Sequence, residues 1–113
     1  MKDEKKIAQE QAWTGDAVLG LFAREWILKE KRKMDAEMFA RMTSNHFLNS
    51  LGNPTQVEAK IGRIYEKEGL QKAFHHIKKE LVPLFLSKRK KEFVRPEENG
   101  EILSLSIELP DAS

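Results

Sequence analysis

Asp16 follows Gly15 within the stretch A-W-T-G-D-A-V-L-G-L-F-A-R-E-W-I-L (Ala12 to Leu28), and Glu58 stands one helical turn before Gly62. If the two glycines let their helices cross closely, the two carboxylates meet at one point. Two carboxylates with water suit Mg²⁺, which keeps much of its hydration shell and needs only one or two protein oxygens. Each acid also has a plainer reading. Asp16 would pair with a Lys or Arg or face a wet helix junction, and Glu58 would be a solvated residue at the edge of an apolar stripe.

The elements that carry these acids follow from periodicity. Residues 12–28 are apolar almost all the way round a helix, with Trp13, Ala17, Leu21 and Leu28 on one side and Val18, Leu19, Phe22 and Trp26 on the other. Such a pattern predicts a buried helix, with Asp16 in a sector of small neighbours formed by Ala12, Gly20 and Ala23, and Ile27 at its end. The helix is expected to run from near Asp3 to Lys31. Asp35 is a plausible N-cap for a second helix that continues to Leu51, with Ser44-Asn45 as a point of interruption. Leu51-Gly52-Asn53-Pro54 is the clearest punctuation: Gly52 ends one helix, Asn53 caps the next and Pro54 takes its first position.

The third helix, Pro54 to Glu68, is expected to bury Val57, Ile61, Ile64 and Tyr65. Gly62 inside it costs about 1 kcal/mol against Ala, which marks a close approach of another backbone. Gly69 breaks the chain, and a fourth helix from Leu70, kinked at Pro83, runs out through Lys88, Arg89, Lys90 and Lys91. His75 and His76 point to different faces and have no spaced partner for a metal site. Residues 95–100 read as a linker, and the alternation of Leu103, Leu105, Ile107 and Leu109 with Ser104, Ser106 and Glu108 reads as one short strand without a partner.

Composition narrows the function classes. A chain of 113 residues, 34% charged and 40% hydrophobic, is expected to form one domain with a modest core that a partner subunit would complete. No apolar run approaches the roughly 20 residues of a membrane span, and the opening M-K-D-E-K-K is no signal peptide, so a cytoplasmic protein without a membrane partner is expected. The absence of cysteine removes disulfides, thiol catalysis and cysteine-type zinc sites. Residues 95–113 hold one Arg against five acids, net −4, which leaves +6 of the total +2 on residues 1–94. The expected organisation is therefore a helical domain over 1–94 and an acidic tail over 95–113. The basic run K-E-K-R-K, Lys29 to Lys33, suits the dipole of a last helical turn and, alternatively, contact with phosphates.

At Asp16 and Glu58 the sequence resembles the ribonuclease III family, in particular its short catalytic-domain-only branch, Mini-ribonuclease III. A-W-T-G-D-A-V-L (Ala12 to Leu19) is similar to the family's signature helix, and T-Q-V-E-A-K-I-G-R-I-Y (Thr55 to Tyr65) to its second acidic helix. Residues 8–88 carry the resemblance, without the double-stranded RNA-binding domain of longer members or the basic loop of the Mini branch. It implies an all-α, single ribonuclease III-like domain, paired as a two-fold homodimer through the signature helix. It also implies a Mg²⁺- or Mn²⁺-dependent endoribonuclease acting on double-stranded or structured RNA. Asp16 and Glu58 would then be the catalytic and metal-binding residues, and Lys31, Arg32, Lys33, Lys88, Arg89, Lys90 and Lys91 the RNA contacts. Of the four carboxylates of ribonuclease III proper, two are matched; Ala12 and Thr55 stand at the other positions, where the Mini branch tends to have small residues, and Gln9 replaces a further signature glutamate. A catalytically inactive RNA-binding or structural domain of the same fold is the competing expectation.

Overall fold

The computed structural model describes residues 3–93, with side chains to residue 89, so the expected linker, strand and acidic tail lie outside the described residues. The described chain is all α: α1 (Glu4–Lys31), α2 (Ala36–Met42), α3 (Asn45–Leu48), α4 (Pro54–Glu68), α5 (Leu70–Glu80) and α6 (Val82–Phe93). Among the described residues there is no strand, and no helix is long and apolar enough to cross a membrane.

Local chemistry sets most of the boundaries. Side chains of Asp3, Asp35, Ser44 and Asn53 each accept a backbone N–H of the turn that follows, and Pro54 occupies the first position of α4, where a missing N–H costs nothing. α1 closes with Arg32 in the left-handed conformation at φ 61°, its N–H donated to the Leu28 carbonyl. Gly69, at φ 94°, separates α4 from α5 in a conformation that other residues reach only under strain.

Two expected helices are divided. The second stops at Thr43, whose hydroxyl donates to the Phe39 carbonyl, while Ser44 turns its hydroxyl to Arg41 and then caps α3 by accepting from Phe47. These hydroxyls offer the backbone an alternative to the helical ladder, so the chain restarts. The fourth is divided at Leu81, because Pro83 has no N–H for the preceding turn and its ring opposes the carbonyl four residues earlier.

α1 is the spine on which the other helices pack, but it is not buried all round. Val18, Leu19, Phe22, Ala23 and Ile27 enter the core with Met42, Phe47, Leu48, Ile61, Ile77, Leu81 and Phe85. Edge-to-face ring pairs lock this core, Phe22 on Phe74 with centroids 5.3 Å apart and Phe47 on Phe85 at 5.4 Å. The opposite side stays in solvent: Trp13 is 83% exposed, Leu28 48% and Leu21 40%. The other helices, all shorter, pack on one side of this 28-residue helix, and periodicity does not report how many neighbours exist. α4 likewise buries Ala59, Ile61 and Gly62, leaves Val57 and Ile64 half-buried, and exposes Tyr65.

The closest approach in the fold is between α1 and α4. A Cβ on Gly15 would overlap the Glu58 carbonyl, and one on Gly62 would overlap the Gln11 carbonyl, so each helix rests on the other's glycine. Gly62→Ala should therefore lower stability by about 3 kcal/mol or more, or prevent folding, since neither backbone can yield without separating the helices. Gly20→Ala meets side-chain atoms alone, the Arg24 guanidinium at 3.2 Å and the Phe39 ring at 3.9 Å, and should cost far less than Gly62→Ala. Urea denaturation of the two variants beside wild type measures the contrast, and equal stabilities would refute the close-packing argument.

Candidate carboxylate site and its surroundings

The crossing at Gly15 and Gly62 brings Asp16 and Glu58 together. Gly15 lies against the backbone of Glu58 itself, so Asp16, the next residue, is delivered to the Glu58 side chain. Asp16 is exposed rather than buried: Ala12, Gly20, Ala23 and Ile27 of its sector turn into the core and leave the carboxylate at the solvent edge. Glu58 is half-buried beneath it. Burial pushes the Glu58 carboxyl up to about 7 from 4.5, and a hydrogen bond with Asp16 and the charge of Asp16 push the same way. Among the described residues neither acid has an ion-pair partner, and Asp16 stands at a solvent-exposed helix junction, one of its two plainer readings.

Two close acids without a neutralising cation form a site where a divalent ion would be electrostatically favoured. Among the described residues no third His, Asp or Glu joins them to make a metal-ligating group. The donor set fits an ion that takes two carboxylates and retains several waters, which is the habit of Mg²⁺ and not of zinc.

Next to the pair, the first turns of α1 and the start of α4 enclose an open groove of about 680 Å³. Its walls include Lys5, Gln9, Gln11, Thr55, Gln56 and Arg63, with Glu4 as the acid. Arg63 donates to the Gln11 Oε1 at 3.5 Å, a long contact that joins the two walls. Gln11, Gln56 and Arg63 carry no periodic signal in the sequence, because they are polar residues at helix surfaces; the position of Arg63 directly after Gly62 is the one available clue.

The basic residues behave unevenly. Lys31 is tied to Asp35 at 2.9 Å, and the bond from the Met38 N–H, followed by that from Lys31, holds the Asp35 carboxyl below its usual value. The charge of Arg89 acts on the same carboxylate, so α6 returns to the junction of α1 and α2. Arg89 thereby comes near the Lys31–Asp35 pair at this end of the molecule, and Arg32, Lys33 and Lys88 are exposed. The side chains of Lys90 and Lys91 lie outside the described residues. Fifteen residues of α1 between Asp16 and Lys31 set this end about 22 Å from the carboxylates. His75 is exposed and His76 half-buried, with burial and then the Lys60 charge lowering the His76 pKa.

Comparison of the chain with protein-family models, curated proteins and solved structures finds no match.

The raised Glu58 pKa has a defined signature. Between pH 4.5 and about 7 the folded state keeps a proton that the unfolded chain has released, so stability falls as pH rises through this window and the penalty is complete above it. In EDTA, Glu58→Gln should therefore melt above wild type at about pH 8, by on the order of 1–2 kcal/mol after allowance for solvent screening, and match it near pH 4. Parallel pH profiles for the two proteins would refute the paired-carboxylate geometry.

Proposed function

We propose that this chain is a ribonuclease III-like, divalent-metal-dependent endoribonuclease acting on structured or double-stranded RNA, with Asp16 and Glu58 as its metal-binding and catalytic acids. One observation carries the reading: the two acids that the resemblance singles out converge, with no cation partner among the described residues, through a glycine crossing that excludes any other residue at Gly15 and Gly62. Asp16 and Glu58 would hold Mg²⁺ or Mn²⁺ at the solvent edge of the crossing. The ion supplies Lewis-acid polarisation of a phosphodiester oxygen and a water of lowered pKa. Arg32 and Lys33 at the C-terminal end of α1 and Lys88 on α6, all exposed, would hold phosphates of the same duplex, which is recognised through backbone and 2′-hydroxyls.

The exposed side of α1 supports a homodimer. Trp13, Ala17, Leu21 and Leu28 lie along one face, and a tryptophan 83% exposed among them adds to an apolar stripe that a partner would cover. A second copy would cover the stripe by a two-fold axis across α1. Light scattering should then give twice the 13.1 kDa of one chain at micromolar concentration, and Trp13→Glu should give the single-chain mass. A wild-type monomer would remove this part of the proposal.

The nuclease reading is tested with purified protein and end-labelled duplex RNA. Mg²⁺ or Mn²⁺ should support cleavage that EDTA abolishes, and Asp16→Asn should reduce it at least 100-fold while leaving duplex binding intact. Binding without metal-dependent cleavage would favour the inactive RNA-binding domain. Charge reversal at Lys33 and Lys88 together should weaken binding and flatten its salt dependence, and unchanged affinity would leave those residues as solubilising charge.

A further inference from the structure

The groove beside the carboxylate pair differs from the rest of the surface. Three of the chain's four glutamines, Gln9, Gln11 and Gln56, line it together with Thr55 and Asn53. Its charged lining is Lys5 and Arg63 against Glu4, so it carries a small positive excess rather than the acids a second cation would need. Its volume of about 680 Å³ lies within the roughly 300–1,000 Å³ typical of ligand clefts.

Position links the groove to the acids. Gln9 stands seven residues before Asp16 and Thr55 three before Glu58, so each lies on the same helical face as the acid that follows it. A strand whose phosphate rests at the carboxylates would therefore continue along these residues. Amide side chains both donate and accept, as the ribose 2′-hydroxyl does, whereas lysines only donate. Arg63 has one donor engaged by Gln11 and a planar fork with further donors for a phosphate oxygen.

We propose that this groove is a substrate-strand subsite in which Arg63 takes a backbone phosphate and Gln9, Thr55 and Gln56 contact the adjoining 2′-hydroxyls, so that it selects RNA over DNA. The inference rests on the nucleic-acid reading of the carboxylate site and adds the residues that choose the sugar. Gln9 and Gln56 are exposed, so their truncation leaves the core untouched.

The test is fluorescence anisotropy of the full chain, in EDTA and at low salt, with a labelled RNA duplex and a DNA duplex of the same sequence. Wild type should bind RNA more tightly than DNA. Gln9→Ala with Gln56→Ala should weaken RNA binding about 5- to 10-fold and DNA binding far less, as the loss of one or two hydrogen bonds predicts. Arg63→Gln should weaken both duplexes. Melting temperatures report whether each variant is folded, and deoxy substitution of the RNA in the wild-type assay reads the same contacts without mutating the protein. Unchanged RNA preference in the double variant, or equal wild-type affinity for RNA and DNA, would overturn the subsite while leaving the nuclease proposal standing. No wild-type affinity for either duplex would overturn both.

Discussion

Contact between the backbones of α1 and α4 is the constraint on which the rest of this structure depends. Helices normally stand 8–10 Å apart because side chains fill the space between them. Here Gly15 and Gly62 remove that spacer at two successive points, and the Glu58 and Gln11 carbonyls occupy the places where Cβ atoms would be. Dispersion contacts between closely packed backbones offset the poor helix propensity of both glycines. Ala12 and Ala59, the residues after Gln11 and Glu58, are both buried.

The crossing has an electrostatic consequence. Asp16 adjoins Gly15, and Glu58 provides the carbonyl that Gly15 rests on, so the fold cannot form its tightest contact without placing two carboxylates side by side. The cost shows in the Glu58 carboxyl, which burial and then Asp16 move up to about 7. A domain selected for stability alone would gain by neutralising one member of such a pair. A costly pair at the edge of solvent suits a functional site, and it supports the proposed metal-dependent chemistry.

The remaining helices serve this arrangement at a distance. Phe22 against Phe74 and Trp26 against Phe85 anchor α5 and α6 on the core side of α1. Arg24 lies over the Phe39 ring at 4.2 Å from its centroid and donates to the Gly20 carbonyl, so one side chain attaches α2 to the spine. The return of α6 to the α1–α2 junction assembles the basic end, where Asp35 holds Lys31 in place. Carboxylates and cations thus sit at separate stations along α1, a spacing that suits the extended RNA ligand proposed above.

Much of this was legible in the residues themselves. Asn53-Pro54 and Gly69 punctuate the chain through their own backbone preferences, and Asp35 caps α2 with its own oxygen, because such signals act over three or four residues. The coincidence of an acid and a glycine on each of two helices was also readable, since it lies in local spacing. Burial was not: the apolar pattern of α1 is the same whether its outer side meets a second chain or water, and only the arrangement of its neighbours leaves Trp13 and Leu28 uncovered. The placement of Asp16 at the rim, the glutamine-lined groove and the meeting of Arg89 with Asp35 likewise join residues from separate helices. The sequence determined which residues could form helices and where each must stop, through short-range sterics and hydrogen bonds. Only the tertiary structure decided which faces those helices share, because that depends on contacts between residues far apart in the chain.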